Sequence, residues 1–305
     1  MRILVGTDDG LHEFGDRSSP GSVQHAGRKV SALAPGPDYS KLWAILDEAE
    51  VWRTDGPGDW ARNATLEGEH LRANCIADTR PGVLVGASDA RLYRVGGEGL
   101  ERVQPFDKVE GRDDWYTPWG GPPDARSISE DSNLLYVNVH VGGVVRSADE
   151  GATWEPTIDI DADVHRVWAV DGRVFAACAR GLAVSEDRGA SWAIRTEGLH
   201  AVYCRGVALS GDTVLVSAST GPRGGRSALY RGAARGGAFE RCRSGLPEWF
   251  DHNIDSLCLD GLPDEGAAAF GTEDGRVFGS GDEGATWTEM ASGLPAARCV
   301  LLTPG

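Results

Sequence analysis

Methionine is scarce, at 2 residues in 305, and basic residues are outnumbered, with 30 Lys and Arg against 46 Asp and Glu for a net charge of −16. A surface of that sign repels a phosphate backbone, because nucleic-acid affinity comes largely from neutralising phosphates. Nucleic acid and anionic membrane are therefore not expected as partners. No stretch approaches the ~18 to 20 consecutive apolar residues that a membrane helix needs. No apolar h-region or small-residue cleavage site follows Met1, where the chain runs directly into Arg2-Ile3-Leu4-Val5-Gly6-Thr7; this reads as a cytoplasmic protein. The 6 cysteines form no CxxC pair, so they are expected as reduced core thiols. HExxH and other local metal signatures are missing too, and no cofactor or metal is expected.

What the sequence does hold is 42 Gly, 15 Pro and 10 Trp, with 41% hydrophobic residues to build a core. Such a turn-rich, aromatic composition suits many short strands better than long helices. One octapeptide occurs three times: SADEGATW at 147 to 154, SEDRGASW at 185 to 192 and SGDEGATW at 280 to 287. In a hairpin turn Asp149, Asp187 and Asp282 can accept backbone N–H bonds, while Gly151, Gly189 and Gly284 permit positive φ. Trp154, Trp192 and Trp287 would then plug the gap between neighbouring sheets. RTDGPGDW at 53 to 60 keeps Asp55 and Trp60 in register without the first Ser, as a decayed copy.

Upstream of the octapeptides recurs an apolar strand, a Gly-rich turn and another short strand, as in VLVGASDARLYR at 83 to 94 and LYVNVHVGGVVRS at 135 to 147. One more strand precedes each of these, opening with Arg28, Arg72, Arg126, Arg166, Arg205 or Arg298, and with Asp255 in the remaining unit. These anchors make seven units, and the count closes only if it wraps from the C-terminus to the N-terminus. The expected fold is all-β: a seven-bladed β-propeller spanning 1–305 as one domain, each blade a four-stranded antiparallel meander. Residues 297 to 303 would supply the innermost strand of the blade whose second and third strands are 2 to 7 and 10 to 14. Such a closed sheet needs no partner, so a monomer is expected.

In this meander the octapeptides share one face, and the three longest excursions, 105 to 125, 220 to 227 and 246 to 254, share the other. His25, His70, His165, His200 and His252 fall in the connections before inner strands, and His140 ends a second strand. Trp115, Tyr116, Trp119, Tyr203 and Trp249 join them on that face. Six arginines at one structural position would gather at the axial mouth, where guanidinium forks match carboxylate and phosphate geometry. Two readings follow: a funnel for an anion, or ion pairs with the turn acids Asp8, Asp9, Asp47, Glu48, Asp89, Glu273 and Asp274. His140, His165 and His252 meeting across the channel is a third arrangement, suited to a metal.

The segments DVHRV (163 to 167), YCRGVAL (203 to 209), VLVSASTGPRGG (214 to 225) and LPEWFDHNIDSLCL (246 to 259), with the octapeptides, carry a family resemblance. The chain resembles bacterial BNR-repeat propellers, whose octapeptide is the Asp-box, and in particular a sialidase-like or glycosyl-hydrolase-like group. The resemblance implies a ligand site on the face away from the Asp-boxes. True sialidases have six blades and an Arg-Ile-Pro motif, and the tripeptide is missing here. A second comparison, with the photosystem assembly propeller, implies binding without chemistry on an arginine-rich patch. Three functions compete. One is an anionic small-molecule site held by Arg28, Arg72, Arg126, Arg166, Arg205 and Arg298, walled by Trp115, Trp119 and Trp249. There His140, His165, Tyr203, His252 and Asp255 would be placed for hydrolase or lyase chemistry. The second is noncatalytic capture of an acidic peptide or carboxylate terminus on the same arginines; the third is a glycoside hydrolase using Asp251 and Asp255.

Overall fold

The computed structural model describes residues 1–15, 23–56, 58–97 and 99–305. Pro57, inside the decayed octapeptide, lies outside the described residues. Seven antiparallel sheets of four strands each follow one another along the chain, which is the strand order of a seven-bladed β-propeller. No helix among the described residues is long and apolar enough to cross a membrane.

Contacts group the chain into two compact units. One comprises Met1–Val30, Ala179–Leu182 and Ile194–Gly305; the other comprises Ser31–Cys178 and Ala183–Ala193. In both, burial grades across each sheet. Second strands are buried along all or nearly all of their length, as in Leu134–Val139 and Thr213–Ser219. That explains their unbroken apolar runs, since a strand covered on both faces has no reason to alternate. Outermost strands such as Glu155–Pro156 are exposed.

In the first unit, the wrap-around expectation holds to the residue. Ala297–Thr303 pairs antiparallel with Arg2–Thr7, which pairs with Gly10–Phe14. The cysteines are free and buried, also as expected. Cys299 Sγ lies 3.7 Å from the Val30 carbonyl, and in the second unit Cys75 Sγ lies 3.7 Å from the Ala125 carbonyl of the next sheet. Burial pushes both thiols up to about 12. A small side chain is needed there because Gly6 and Gly86 stand against the sulfurs: a Cβ on either would fall 2.5 Å from Sγ.

One expectation about the inner strands fails. Four of them carry a bulge near their start, where the partner register skips: at Asn74, Arg126, His165 and the pair Arg205 and Gly206. The pairing of Ala297–Thr303 skips at Arg298 in the same way. A bulge inserts one unpaired residue and re-aims its side chain. The arginines therefore do not share one structural position. Arg126, Arg205 and Arg298 sit on bulges, Arg166 lies one residue past its bulge, and Arg72 lies two residues before. Arg28 precedes its strand, Val30–Pro35, and Asp255 lies in a turn four residues ahead of Leu259–Leu262 rather than at its start.

The octapeptides bond as expected. In the second, the N–H and hydroxyl of Ser191 donate to Asp187 at 2.8 and 2.6 Å, and Gly189 N–H donates to Ser185 Oγ at 2.7 Å. The two residues at the apex both adopt positive φ, Arg188 at 60° and Gly189 at 88°. The decayed copy differs: Asp55 takes Arg53 at 2.7 Å, and Trp60 lies within a strand. The Ser191 hydroxyl, then its N–H, hold the Asp187 carboxyl down at about 2, against an ordinary aspartate value of about 3.9. A carboxyl depressed in the folded state adds stability above its unfolded value and loses it as pH falls through the folded one. Wild type is thus expected to lose more melting temperature between pH 5 and pH 2 than Asp187→Asn, which keeps the Oδ1 bonds, can donate from its amide to the Ser191 hydroxyl in place of accepting from it, and does not titrate. Equal losses in a pH series of thermal melts would refute this.

Candidate functional site

The unit containing Ile194–Gly305 holds a polar cleft of about 270 Å³. Arg205, Arg223 and Arg298 line it with His252, Asn253, Asp255 and Glu273. The bulges bring Arg205 and Arg298 here by turning each out of its strand ladder. Arg223 arrives on the Gly-rich loop; Gly224 packs so closely on the 251–253 backbone that a Cβ would fall 2.9 Å from the Asp251 carbonyl.

Two of the three guanidiniums already have acids. Arg205 Nη1 lies 2.8 Å from Asp255 Oδ1, and its guanidinium stands 5.8 Å from the Tyr203 ring. Burial works against the Arg205 charge, but Asp255 and then Tyr203 outweigh it, so its pKa is raised. Arg298 forks onto Asp8, which holds that carboxyl below the usual range. The ion-pair reading is thus met at Arg298, whose partner Asp8 is one of the turn acids, whereas Arg205 takes Asp255, which was expected to complete the ring rather than to pair. Arg223 is exposed and has no acid partner among the described residues. His252 Nδ1 lies 3.3 Å from Glu273 Oε2.

The remaining arginines have other surroundings. Arg166 lies over the Trp168 ring at 5.1 Å, Arg126 stands close enough to His140 to disfavour its protonation, and the Arg72 backbone bonds to Ser88. Arg28 accepts the Gly10 N–H on its carbonyl.

The aromatic walls need correction. Trp115 is core: the 3₁₀ turns at Gln104–Lys108 and Arg112–Asp114 fold the long loop back, and Trp115 packs on Phe106 with Arg112 4.9 Å from its ring. Trp249 belongs to a second, more open cleft of about 600 Å³ with His200, Tyr230 and Arg241. There Arg241 lies 3.7 Å over the indole and His200 Nδ1 meets the Tyr230 hydroxyl at 2.7 Å. Trp119 is 68% exposed, with its ring 5.0 Å from that of His140.

In the other unit, His140 and His165 gather around Asp163, which the sequence reading passed over. Their Nε2 atoms lie 3.0 and 3.6 Å from Asp163 Oδ1. His165 stands inside strand Val164–Val170 at a bulge, fully buried, rather than in a connection. His252 is not a member of this group, so the three-histidine arrangement weighed as an alternative does not form; the group is two histidines and an aspartate. The signal was present as the Asp-x-His spacing within DVHRV. Burial lowers the His140 pKa, and although burial also opposes charge on Asp163, the two imidazoles outweigh it and hold that carboxyl well below its usual range.

The fold is that of a seven-bladed β-propeller, and solved structures agree. An ancestral GH74 enzyme matches with TM-score 0.64 and 14% identity over 91% of this chain; the match spans only 37% of that enzyme's chain. YCF48 bound to D1 peptide matches with TM-score 0.57 and 14% identity, covering 95% of this chain and 84% of that one. The RRP9 WD40 repeats match at 0.60 and 13%, covering 96% and 86%. No protein-family model and no curated protein matches the sequence.

Proposed function

We propose that this protein is a binding propeller that takes a carboxylate, from a small acid or an acidic peptide terminus, in the cleft of Arg205, Arg223 and Arg298. The observation that carries the reading is Arg223: one of three arginines lining one cleft, in a chain of net charge −16, and without an acid partner among the described residues. Arg205 and Arg298, fixed by Asp255 and Asp8, supply an oriented rim, and Asn253 adds an amide that already bonds the Pro222 carbonyl at 3.1 Å. An open cleft of this polarity suits recognition better than chemistry, which works in water-excluded sites. The fold likeness to YCF48 bound to a peptide supports the same reading, as does membership of the BNR-repeat propellers, which we infer from the octapeptides. Hydrolase or lyase chemistry has less support, because His252 faces Glu273 and His140 and His165 face Asp163.

Calorimetric titration with acidic peptides bearing a free or an amidated C-terminus, and with citrate, tests this. The free carboxylate is expected to bind, and Arg223→Ala to weaken it roughly 10-fold or more, the scale of one charge-assisted hydrogen bond. Binding unchanged by Arg223→Ala and Arg205→Ala would overturn the reading.

A further inference from the structure

His140, Asp163 and His165 come from three short segments that the fold holds together in the unit containing Ser31–Cys178. His140 follows strand Leu134–Val139; Asp163 ends a 3₁₀ turn at Ile160–Ala162; His165 is the unpaired residue of the bulge between Val164 and Arg166. The backbone is strained on both sides of the cluster. Val141 has φ 46° and Asp163 has φ 52°, and positive φ is a genuine outlier for a β-branched residue.

We infer that these three side chains form a binding site for one divalent transition-metal ion of the zinc type. Their ligand atoms all lie within 4.8 Å of one another. A tetrahedral ion roughly 2.0 to 2.2 Å from each ligand spaces them about 3.3 to 3.6 Å apart, and the two imidazole to carboxylate distances are 3.0 and 3.6 Å. The site is buried and crowded: His140 is 2% exposed and His165 0%, both Nε2 atoms face the single oxygen Asp163 Oδ1, and His140 Nδ1 has no regular hydrogen-bond partner among the described residues. Two imidazoles and one carboxylate select zinc, cobalt or nickel over magnesium or calcium, which take all-oxygen shells.

Three protein ligands leave a fourth position open. Asp163 is 22% exposed on its side chain, which gives an entering ion a path, and the exposed Trp119 ring covers His140. One carboxylate does not neutralise a divalent ion, and Arg126 stands near His140. The fourth ligand is therefore an anion, such as hydroxide or an external carboxylate.

The test uses the full chain stripped with a chelator. Zinc titrated calorimetrically is expected to bind at one ion per chain and to raise the melting temperature, since ligands that bind only the folded state stabilise it. Asp163→Asn and His140→Gln are expected to lower affinity at least 10-fold, with His200→Gln unchanged. Cobalt is expected to quench tryptophan emission, with most of that quenching gone in Trp119→Phe, whose exposed site carries no folding burden. The absence of stoichiometric uptake by wild type, or uptake and quenching undiminished in these variants, would overturn the proposal.

Discussion

Trp287→Ala is expected to cost about 3 to 5 kcal/mol of folding stability, the range for emptying a large buried aromatic site. Trp287 is 4% exposed, its ring meets Phe270 edge-on at 5.0 Å, and Phe270 in turn stacks on Phe278 at 4.9 Å. Its indole N–H closes the turn by donating to the Gly284 carbonyl at 3.0 Å. Alanine would remove the ring, the edge contact and the turn bond together. The same substitution at Trp192 is expected to cost only about 1 kcal/mol, the centre of the distribution for ordinary substitutions. Trp192 occupies the identical octapeptide position but is only half-buried, and its indole nitrogen has no hydrogen-bond partner among the described residues. Urea unfolding of both variants decides the matter. Equal losses would mean that the motif itself, rather than the packing each copy finds, sets the contribution.

That contrast shows what was legible in the sequence. The octapeptide dictates its own turn, because Ser, Asp and Gly at fixed offsets satisfy local backbone groups whatever surrounds them; turn chemistry was readable at all three copies. Burial of the tryptophan depends on the neighbouring sheet, which local spacing does not encode. Likewise the inner strands were readable from their apolar runs, but a bulge leaves no mark in composition, so Arg72, Arg166 and Arg205 looked equivalent while the ladder places them differently. Trp115 in a long polar loop read as a wall until the two 3₁₀ turns folded it onto Phe106. Arg205, Arg298, His252 and Asp255 did meet in one cleft. Asp163 escaped notice because a single acid beside two histidines far apart in sequence becomes a site only when the strand ends are brought together.

Deleting residues 297 to 305 is expected to abolish the folded state of the unit that contains them. This segment is the innermost strand of its sheet, paired with Arg2–Thr7 from Thr303 opposite Arg2 to Ala297 opposite Thr7. Cys299, Val300, Leu301 and Leu302 are all buried. At about 1.5 to 3 kcal/mol for each large apolar side chain taken from water, their loss approaches the ~5 to 15 kcal/mol that separates most folded domains from unfolded ones. Two polar anchors go as well: the Leu302 N–H donates to the buried Asp260 at 2.8 Å, and Arg298 holds Asp8. Removal also bares one whole edge of Arg2–Thr7, an apolar strand left with unpaired backbone groups. The truncated chain is expected to aggregate and to show no cooperative melt. A circular permutant separates loss of the strand from mere relocation of a chain end. Gly305 already abuts Met1, so the ends can be joined and the chain reopened between Gly236 and Gly237, where a Cβ would meet nothing. The permutant keeps every strand and is expected to unfold cooperatively. A truncated chain that melts like the parent, or a permutant that fails to fold while the parent succeeds, would show that closure by the C-terminal strand is not what holds this sheet.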